Sequence, residues 1–278
     1  MTISDQEIKC FISAIKKSSP YDLRDYSYKS LKRRVTKILN DNKLDFSSLI
    51  RKISEDNDFL ESTVREITVN TTELFRDPPV WQTIKYEILP KFKNHESIRI
   101  WHAGCSTGQE VYSLLILLYE LDMFEKTIIY GTDLNATVIE EAKKGIYKYR
   151  FNLVYLDNFD KVMKQNPNNN EVYDVPYSKY LEIDKIRDVM KIKNFLLKKP
   201  IFLTHDLVTV SDLGTEPFHI ILCRNVIIYF NFNLQNRVFN LFHKNLLDNG
   251  YLILGAHETI LGPLSEKFQK SNHVNIKK

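Results

Sequence analysis

The stretch that most constrains the fold is residues 98–110, IRIWHAGCSTGQE. Ile98 and Ile100 predict a buried strand, and the small residues from Gly104 to Gly108 predict a tight turn. An apolar helix is predicted directly after the turn. Strand, glycine turn and helix in this order form the nucleotide-binding corner of an open α/β sheet, because glycine lets the backbone approach a ligand closely.

The residues that follow narrow the choice of ligand. A second apolar run, residues 127–132, ends in Asp133, where an acid commonly accepts the ribose hydroxyls of an adenosine ligand. A P-loop would carry Lys and then Ser or Thr after its second glycine, whereas Gln109 and Glu110 follow Gly108. The fingerprint G-x-G-x-x-G is absent as well. The pattern therefore favours an adenosine ligand without phosphates and with a positive group for Glu110. S-adenosylmethionine fits this description, and an ordinary corner without a ligand is the alternative.

The composition is that of an ordinary globular protein. The chain has 278 residues, of which 43% are hydrophobic and 27% are charged, enough for one large domain or two modest ones. A net charge of +4 is too mild to indicate a nucleic-acid partner, and the three distant cysteines fit neither a disulfide framework nor a metal site. The chain lacks a signal-like N-terminus and any membrane-spanning apolar run. We therefore expect a cytoplasmic monomer without membrane insertion, bound metal or nucleic acid.

Residues 1–68 predict a small bundle of four helices. Ser4 is expected to cap the first helix, and the second, YKSLKRRVTKIL, follows Ser27. The second helix presents a basic face, which consists of Lys29, Lys32, Arg33 and Lys37. A solvated surface is the default interpretation of this basic face, and a docking surface for an acidic partner is the alternative.

Residues 69–79, VNTTELFRDPP, are expected to be too polar for a core, and Pro78 and Pro79 break any long helix. They form either a linker or a cover over the ligand. The α/β pattern continues from Val80, with an interruption around residues 150–199 where short alternating runs predict a small β insertion. The remaining predicted elements are strands over 200–204, 218–223 and 251–256, and a helix over 234–247 that stops at residues 249–250.

Taken together, these segments resemble the CheR-type chemotaxis receptor methyltransferases. TVNTTELFRD is similar to the family segment T-x-N-x-T-x-x-F-R-[DE], and AGCSTGQEVYS is similar to A-x-C-S-T-G-E-E-[PA]-Y-S. GTDLN, KKGIY and CRNVIIYF follow in the family's order. The resemblance covers nearly the whole chain. It implies an α/β fold, with a Rossmann-like class I S-adenosylmethionine-dependent methyltransferase sheet, an N-terminal helical domain and a small β insertion.

The resemblance also implies domain limits and an activity. The limits are a helical domain over residues 1–68, an interdomain segment over 69–79 that covers the cofactor, and a methyltransferase domain over 80–278. The implied activity is methyl transfer from S-adenosylmethionine to glutamate side chains of chemotaxis receptors, which gives glutamate methyl esters and S-adenosylhomocysteine. The implied partners are the glutamate-rich helices of those receptors, which makes the basic face of the second helix the expected substrate-binding surface.

By position in the motifs, the resemblance implies a role for each site residue. The implied catalytic residues are Arg76 and Tyr229. The implied cofactor-binding residues are Asn70, Thr72, Arg76, Glu110, Asp133, Asp206, Leu207, Arg224 and Asn225. No general base is needed, because an ionised carboxylate is nucleophilic and alignment supplies most of the rate enhancement.

Some features depart from the family pattern or leave alternatives open. Gln109 replaces the first of two glutamates and Val111 replaces Pro or Ala, whereas Glu258 keeps an acid near the C-terminus. For His102 and His205, a hydrogen-bonded structural role is favoured over a place in the pocket. Two other functions stay open: a cofactor-binding signalling module that has lost methyl transfer, and methyl transfer to a protein other than a receptor.

Overall fold

Helices occupy the N-terminal part of the structure, which is a computed structural model that describes residues 3–68, 71–168, 172–209, 211–271 and 274–278. The helices in this part are α1 (Asp5–Ser18), α2 (Tyr28–Asn42), α3 (Phe46–Glu55) and α4 (Asn57–Thr68). Ser4 caps α1 in a capping box with Glu7, as its sequence predicts. The four predicted helices are therefore confirmed.

A mostly parallel sheet lies at the centre of the rest of the chain. Helices α5–α10 are Pro78–Thr83, Gln109–Glu120, Ala136–Lys144, Leu153–Met163, Asn194–Leu197 and Phe232–Asn245. Strands β1–β5 are Ile98–Ala103, Thr127–Asp133, Ile146–Lys148, Leu181–Asp184 and Val189–Ile192. Strands β6–β10 are Ile201–Thr204, Phe218–Cys223, Leu246–Leu254, Phe268–Ser271 and Val274–Lys277.

Seven of these strands form the central sheet, in the order β6-β2-β1-β7-β8-β10-β9. The strands from β6 to β8 pair in parallel, whereas β10 pairs antiparallel with both β8 and β9. The chain reverses its direction of progress along the sheet between β1 and β7. In open α/β sheets such a switch point opens a crevice at the carboxyl ends of the strands, where ligands bind. The predicted α/β fold with a Rossmann-like sheet is confirmed.

The sheet separates two hydrophobic cores. Along β1, Ile98 and Ile100 face a core that includes α6 and the insertion, and Trp101 and Ala103 belong to a core with α10 and the N-terminal helices. Helix α6 is apolar nearly all round because it lies inside the first core. The N-terminal helices therefore share a core with the sheet instead of forming an isolated bundle.

The insertion is larger than a hairpin. Strands β3, β5 and β4 form a separate three-stranded antiparallel sheet in that order, and α8 precedes β4. The alternating strands agree with the sequence prediction, whereas the sequence pattern did not indicate α8. The reason is that the exposed apolar residues Phe151, Leu153 and Val154 at the start of α8 obscure its amphipathic pattern.

Two further expectations are wrong. Residues 69–79 were expected to be too polar for a core, but Leu74 and Phe75 are fully buried in the first core. The helix predicted over 234–247 ends at Asn245, because Leu246 already pairs with Phe218 in the sheet. The residues at 249–250 instead lie within β8, where the pairing with β7 shifts in register.

The chain before α2 is joined to the chain before α10 by backbone pairing. Tyr26 and Phe230 form an isolated antiparallel bridge. The Ser27 amide donates to the Tyr229 carbonyl at 2.8 Å, and the Asn231 amide donates to the Asp25 carbonyl at 2.8 Å. The N-terminal helices are thus fixed beside the segment that carries Tyr229. Within the described part of the chain, no helix is long and apolar enough to cross a membrane.

The buried ring of His219, at the opposite end of the sheet from the crevice, makes folding sensitive to acid. Its Nδ1 accepts the Arg99 amide at 3.0 Å, and burial, together with the charges of Arg99 and His95, lowers the pKa of His219 to about 4. The unfolded chain takes up a proton at this residue below about pH 6.5, whereas the folded chain does not until about pH 4. The contribution of His219 to the free energy of unfolding is therefore lost as the pH falls from about 6.5 to about 4.

We expect His219→Gln, which keeps an acceptor for the Arg99 amide but cannot titrate, to flatten the loss of stability between pH 7 and pH 5. The difference at pH 5 should be at most about 2 kcal/mol, since one pKa unit corresponds to about 1.4 kcal/mol. Urea unfolding at several pH values measures it, and His257→Gln, at an exposed ring, is the control. Parallel pH curves for His219→Gln and the wild type would refute the assignment.

Candidate active site

A cavity opens at the switch point, beyond the carboxyl ends of four parallel strands. It encloses about 840 Å³ of space, part of it open to solvent, which suits a ligand of nucleoside size. Strands β1, β2, β6 and β7 deliver Gly104, Asp133, Asp206 and Arg224, respectively, to its wall. The crevice expected from the strand order is therefore lined by charged side chains.

The turn after β1 is held in shape by its neighbours. Gly104 has a φ of +79°, and a Cβ atom there would lie 2.4 Å from Cγ2 of Val226, so no other residue fits without rearrangement. Ser106 has a φ of +52°, and its amide donates to Oδ2 of Asp133 at 2.9 Å. The residue at the end of β2 thus also fixes the glycine turn after β1.

Asp133 is nearly buried and already accepts backbone hydrogen bonds. Its Oδ1 accepts the Asn135 amide at 3.1 Å, in addition to the bond from Ser106. Burial raises the pKa of Asp133, and the hydrogen bonds from Asn135, Ser106 and Leu134 oppose this shift. Each carboxylate oxygen can accept a further hydrogen bond, so both can still bind hydroxyl groups of a ligand.

A buried ion cluster lies on the opposite side of the cavity. The Arg224 side chain is fully buried, and its Nη1 donates to Oε2 of Glu110 at 2.7 Å. Its Nη2 donates to Oδ2 of Asp77 at 2.7 Å and to the Arg76 carbonyl at 3.1 Å. Three segments of the chain therefore meet at one guanidinium group. Of the two carboxylates, that of Glu110 also lines the cavity, where it can attract a cationic group of a ligand.

Glu110 lies beside His102 as well as Arg224. Burial opposes its charge, but Arg224 and His102 outweigh burial and lower the pKa of the Glu110 carboxyl. Nδ1 of His102 lies 3.6 Å from Oε1 of Glu110, and neither ring nitrogen of His102 has a hydrogen-bond partner among the described residues. The expectation that His102 is hydrogen-bonded is wrong. The expected hydrogen bond of His205 is confirmed, since its Nε2 lies 2.9 Å from the Ser211 carbonyl oxygen, and the residue lines the cavity as well.

The segment after α4 is pinned to the wall of the cavity. Phe75 has a φ of +53°, and its amide donates to Oγ of Ser113 on α6 at 2.8 Å. The Arg76 carbonyl accepts Nε1 of Trp81 at 2.9 Å in addition to Arg224. The insertion contributes as well, since the Tyr155 hydroxyl donates to the Thr72 carbonyl at 2.6 Å. Backbone in the sparsely populated left-handed region persists only under such constraints.

Glu258 fixes the loop after β7, which the sequence analysis did not foresee. Its Oε2 accepts the amides of Asn225, at 2.8 Å, and Gly255, at 2.7 Å. Asn225 has a φ of +60°, so its backbone also needs such support. The sequence signal for this role was an acid retained near the C-terminus, and it did not indicate that Glu258 binds the amide of Asn225.

The structure brings nearly all the predicted cofactor and catalytic residues together. Those that line the cavity are Thr72, Arg76, Glu110, Asp133, Asp206, Leu207, Arg224, Asn225 and Tyr229. Asn70 lies outside the described residues. The sequence analysis missed Tyr26, Thr68 and Phe230, which line the same cavity. No local pattern distinguishes a cavity tyrosine from a core tyrosine, and only the bridge between Tyr26 and Phe230 explains its position.

The basic face of α2 is not uniform, contrary to the expectation of one shared surface. Nζ of Lys32 lies 2.6 Å from Oδ1 of Asp5, and Lys37 pairs with Asp41 and Glu66. For Lys29 and Arg33, by contrast, no carboxylate of the described residues lies within ion-pairing distance. The expected side of α2 is still exposed, since the opposite stripe of Leu31, Val35 and Ile38 is buried.

Lys29 and Arg33 line a second depression, which we call the basic groove. Its lining residues are Ser27, Lys29, Ser30, Arg33, Ile228 and Tyr229. Tyr229 therefore lines both the cavity and the basic groove. The two depressions meet at this half-buried tyrosine.

The residues of the cavity fit S-adenosylmethionine. Asp133 and Asp206 can accept hydrogen bonds from a ribose and an adenine amino group, and burial raises the pKa of the Asp206 carboxyl. Glu110 adds a carboxylate for an ammonium group. No lysine of the described residues lines the cavity, so a polyphosphate lacks its usual partner. The fit agrees with the ligand favoured by the glycine corner.

Comparisons with known proteins agree with this geometry. The sequence model described as the CheR methyltransferase SAM-binding domain matches residues 70–276, and the CheR methyltransferase all-alpha domain matches residues 6–68. The chain belongs to the CheR methyltransferase family. The cofactor of this family is S-adenosylmethionine, and the predicted cofactor and enzyme class are thereby confirmed.

Three curated relatives are similar over nearly their whole length. The methyltransferase Cher3 of Pseudomonas putida is 34% identical over 96% of this chain and 93% of its own length. Chemotaxis protein methyltransferase 1 of Vibrio cholerae is 29% identical over 97% of this chain and 94% of its own length. The chemotaxis protein methyltransferase of Listeria monocytogenes is 26% identical over 91% and 90%. The similarity of this CheR methyltransferase to its relatives thus extends over both the N-terminal helices and the sheet.

We expect Asp133→Asn to weaken S-adenosylmethionine binding by at least about tenfold, because charge-assisted hydrogen bonds contribute about 1.5–3 kcal/mol each. Asn keeps the shape and one acceptor oxygen for the glycine turn, which Asp133→Ala would lose. Calorimetric titration measures the affinity, and Asp157→Asn, at an exposed residue, is the matched control. Wild-type affinity in Asp133→Asn would contradict the placement of the ribose.

Proposed function

We propose that this CheR methyltransferase transfers the methyl group of S-adenosylmethionine to glutamate carboxylates of chemotaxis receptors, in the cytoplasm and as a monomer. The observation that carries the proposal is the position of Tyr229, at the junction between the cofactor cavity and the basic groove. A carboxylate in the groove would lie beside a methyl group presented from the cavity. The names of the relatives from Vibrio cholerae and Listeria monocytogenes support chemotaxis as the context.

The basic groove is the proposed site for the acidic side of a receptor helix. Lys29 and Arg33 lie four residues apart on α2, so their side chains share one side of the helix. Their charges are free to attract carboxylates, whereas those of Lys32 and Lys37 are already paired. Glutamate-rich helices offer carboxylates at the same helical spacing, which makes them the partner that this groove fits.

The position of the predicted residues in the cavity wall supports the proposed cofactor-binding roles. Asp133 accepts the ribose hydroxyls, and Asp206 and Leu207 lie at the adenine end. Glu110 attracts the amino group from the ion cluster that it forms with Arg224 and Asp77. Asn225 and Thr72 are proposed to complete the site. Asn70, outside the described residues, keeps its role as a proposal from the family resemblance, as do the cofactor-covering segment over residues 69–79, the helical domain at 1–68 and the methyltransferase domain at 80–278.

The methyl transfer requires little from the protein beyond alignment of the carboxylate with the methyl group. When bound, S-adenosylmethionine supplies an electrophilic methyl group on a sulfonium. The glutamate carboxylate oxygen forms the new bond to the methyl carbon while the carbon–sulfur bond breaks, and the sulfur keeps that electron pair. The products are a methyl ester and S-adenosylhomocysteine, so no proton has to move. Holding the two groups in line supplies most of the rate enhancement.

Arg76 and Tyr229 are the groups proposed to hold the carboxylate. Both line the cavity, and the fixed backbone on each side of them limits their movement. Arg76 follows Phe75, whose amide is bound by Ser113, and the Tyr229 carbonyl accepts the Ser27 amide. A guanidinium group pairs with a carboxylate, and a phenol hydroxyl donates to it, which suits both residues to orientation.

Incubation with labelled S-adenosylmethionine and receptor-containing membranes tests the proposal directly. Base-labile label on the receptor is expected, because a glutamate methyl ester is hydrolysed by base. Cofactor binding without label would favour the signalling module that has lost transfer. Label on a protein other than a receptor would change the acceptor but not the reaction.

We expect Tyr229→Phe to keep the affinity for S-adenosylmethionine within about threefold and to lower methyl transfer by about tenfold or more. The hydroxyl is expected to orient a charged carboxylate, and such a hydrogen bond contributes about 1.5–3 kcal/mol. Single-turnover transfer and calorimetry measure the two effects, with Tyr119→Phe on α6 as the control. Transfer at the wild-type rate would leave Tyr229 with a packing role only.

We expect the double variant Lys29→Glu, Arg33→Glu to bind S-adenosylmethionine normally while its KM for the receptor rises by at least about tenfold. Exposed charge pairs contribute about 0–1 kcal/mol each, so the summed effect should fade at high salt. The matched control is Lys32→Glu, Lys37→Glu, which changes the same number of charges outside the groove and should raise KM far less. Equal effects in both variants would assign recognition to the whole basic face, and no effect in either would make it a solvated surface.

A further inference from the structure

Tyr26 reaches the cofactor cavity from the N-terminal part of the chain. Tyr26 is only 6% exposed, and it lines the cavity together with residues at the ends of the parallel strands. The bridge to Phe230 fixes its backbone, and its ring packs edge-on against the Phe230 ring with centroids 5.3 Å apart. The position of the hydroxyl is therefore determined by the fold.

The Tyr26 hydroxyl differs from those of the other buried tyrosines. Six buried tyrosines use their hydroxyl groups in hydrogen bonds to protein atoms, namely Tyr21, Tyr112, Tyr147, Tyr155, Tyr180 and Tyr251. The Tyr26 hydroxyl has no such partner among the described residues. Because Tyr26 lines the cavity, its hydroxyl is available to form a hydrogen bond with a ligand there.

The charges around Tyr26 indicate which part of a ligand it meets. Burial raises the pKa of Tyr26, and the nearby carboxylates of Asp206 and Asp133 raise it further. The phenol therefore keeps its proton, and it lies near Asp206 and Asp133, the acids assigned to the adenine and the ribose. Those acids accept hydrogen bonds from the nucleoside, whereas its ring nitrogens and ribose oxygens need a donor.

We propose that Tyr26 is a cofactor-positioning residue, whose hydroxyl donates a hydrogen bond to the adenosine part of S-adenosylmethionine. The proposal rests on the assignment of the cofactor to this cavity. It gives the N-terminal part of the chain a direct share in cofactor binding, in addition to its share in the basic groove. Cofactor binding then also strengthens the contact between the chain before α2 and the chain before α10.

The test is calorimetric titration of Tyr26→Phe with S-adenosylmethionine, S-adenosylhomocysteine and adenosine. Phe keeps the ring against Phe230 and removes only the hydroxyl. We expect the dissociation constants for all three ligands to rise by about three- to tenfold, as the loss of one neutral hydrogen bond predicts. The KM for the cofactor should rise in parallel, and the KM for the receptor should not.

Tyr21→Phe is the matched control, because it makes the same chemical change at a buried tyrosine whose hydroxyl donates to Glu61 at 2.9 Å. It should lower the unfolding midpoint and leave cofactor affinity unchanged. A folding defect in Tyr26→Phe would reduce the titrated stoichiometry, whereas the proposed role changes the dissociation constant.

Three outcomes separate the possibilities. Wild-type affinity in Tyr26→Phe, with weakened binding in Asp133→Asn, would overturn this inference alone. Wild-type affinity in both variants would overturn the assignment of adenosine to the cavity. Weakened binding in both variants, with an unchanged dissociation constant in Tyr21→Phe, would support the inference.

Discussion

The buried guanidinium of Arg224 holds together the parts of the chain that form the cofactor cavity. It comes from the end of β7, and it binds Glu110 at the start of α6 and Asp77 in the segment between α4 and α5. Because the side chain is fully buried, its charge must be compensated locally, and the two carboxylates of Glu110 and Asp77 provide this compensation. We therefore attribute to this cluster the task of fixing geometry more than that of adding stability. The same carboxylates favour a cationic ligand.

A second constraint is the left-handed backbone at two residues of the cavity wall and at Phe75, which directly precedes the cavity residue Arg76. Phe75, Ser106 and Asn225 all have positive φ, and the amide of each is bound by a side-chain oxygen from another element. Such backbone costs free energy and persists where the surroundings determine it. The acceptors are therefore as much part of the site as the residues that face the ligand. Asp133 has both roles, since it also lines the cavity.

The N-terminal helices complete both depressions of the site. Tyr26 closes the cofactor cavity, and Lys29 and Arg33 form the basic groove on the next turns of chain. Pairing of this segment with the chain around Tyr229 and Phe230 keeps the two depressions in contact. Cofactor and acceptor are thus proposed to meet at a junction that neither part of the chain forms by itself. In the relatives the two parts also occur together over nearly the full length.

The sequence by itself determined the family, the order of most strands and helices, and about half of the described residues that line the cavity. It could do so because the motifs are contiguous and because the carboxyl ends of parallel strands meet at one edge of a sheet. Only the tertiary structure decided that Glu258 supports Asn225 and that Tyr26 lines the cavity. It also decided that, within the described part of the chain, Lys29 and Arg33 are the cations of the basic face without an ion-pair partner. These facts depend on contacts between distant segments, 33 residues apart for Glu258 and Asn225, and no local periodicity encodes them. The burial of Phe75 in a polar segment has the same origin, because tertiary packing overrides local polarity.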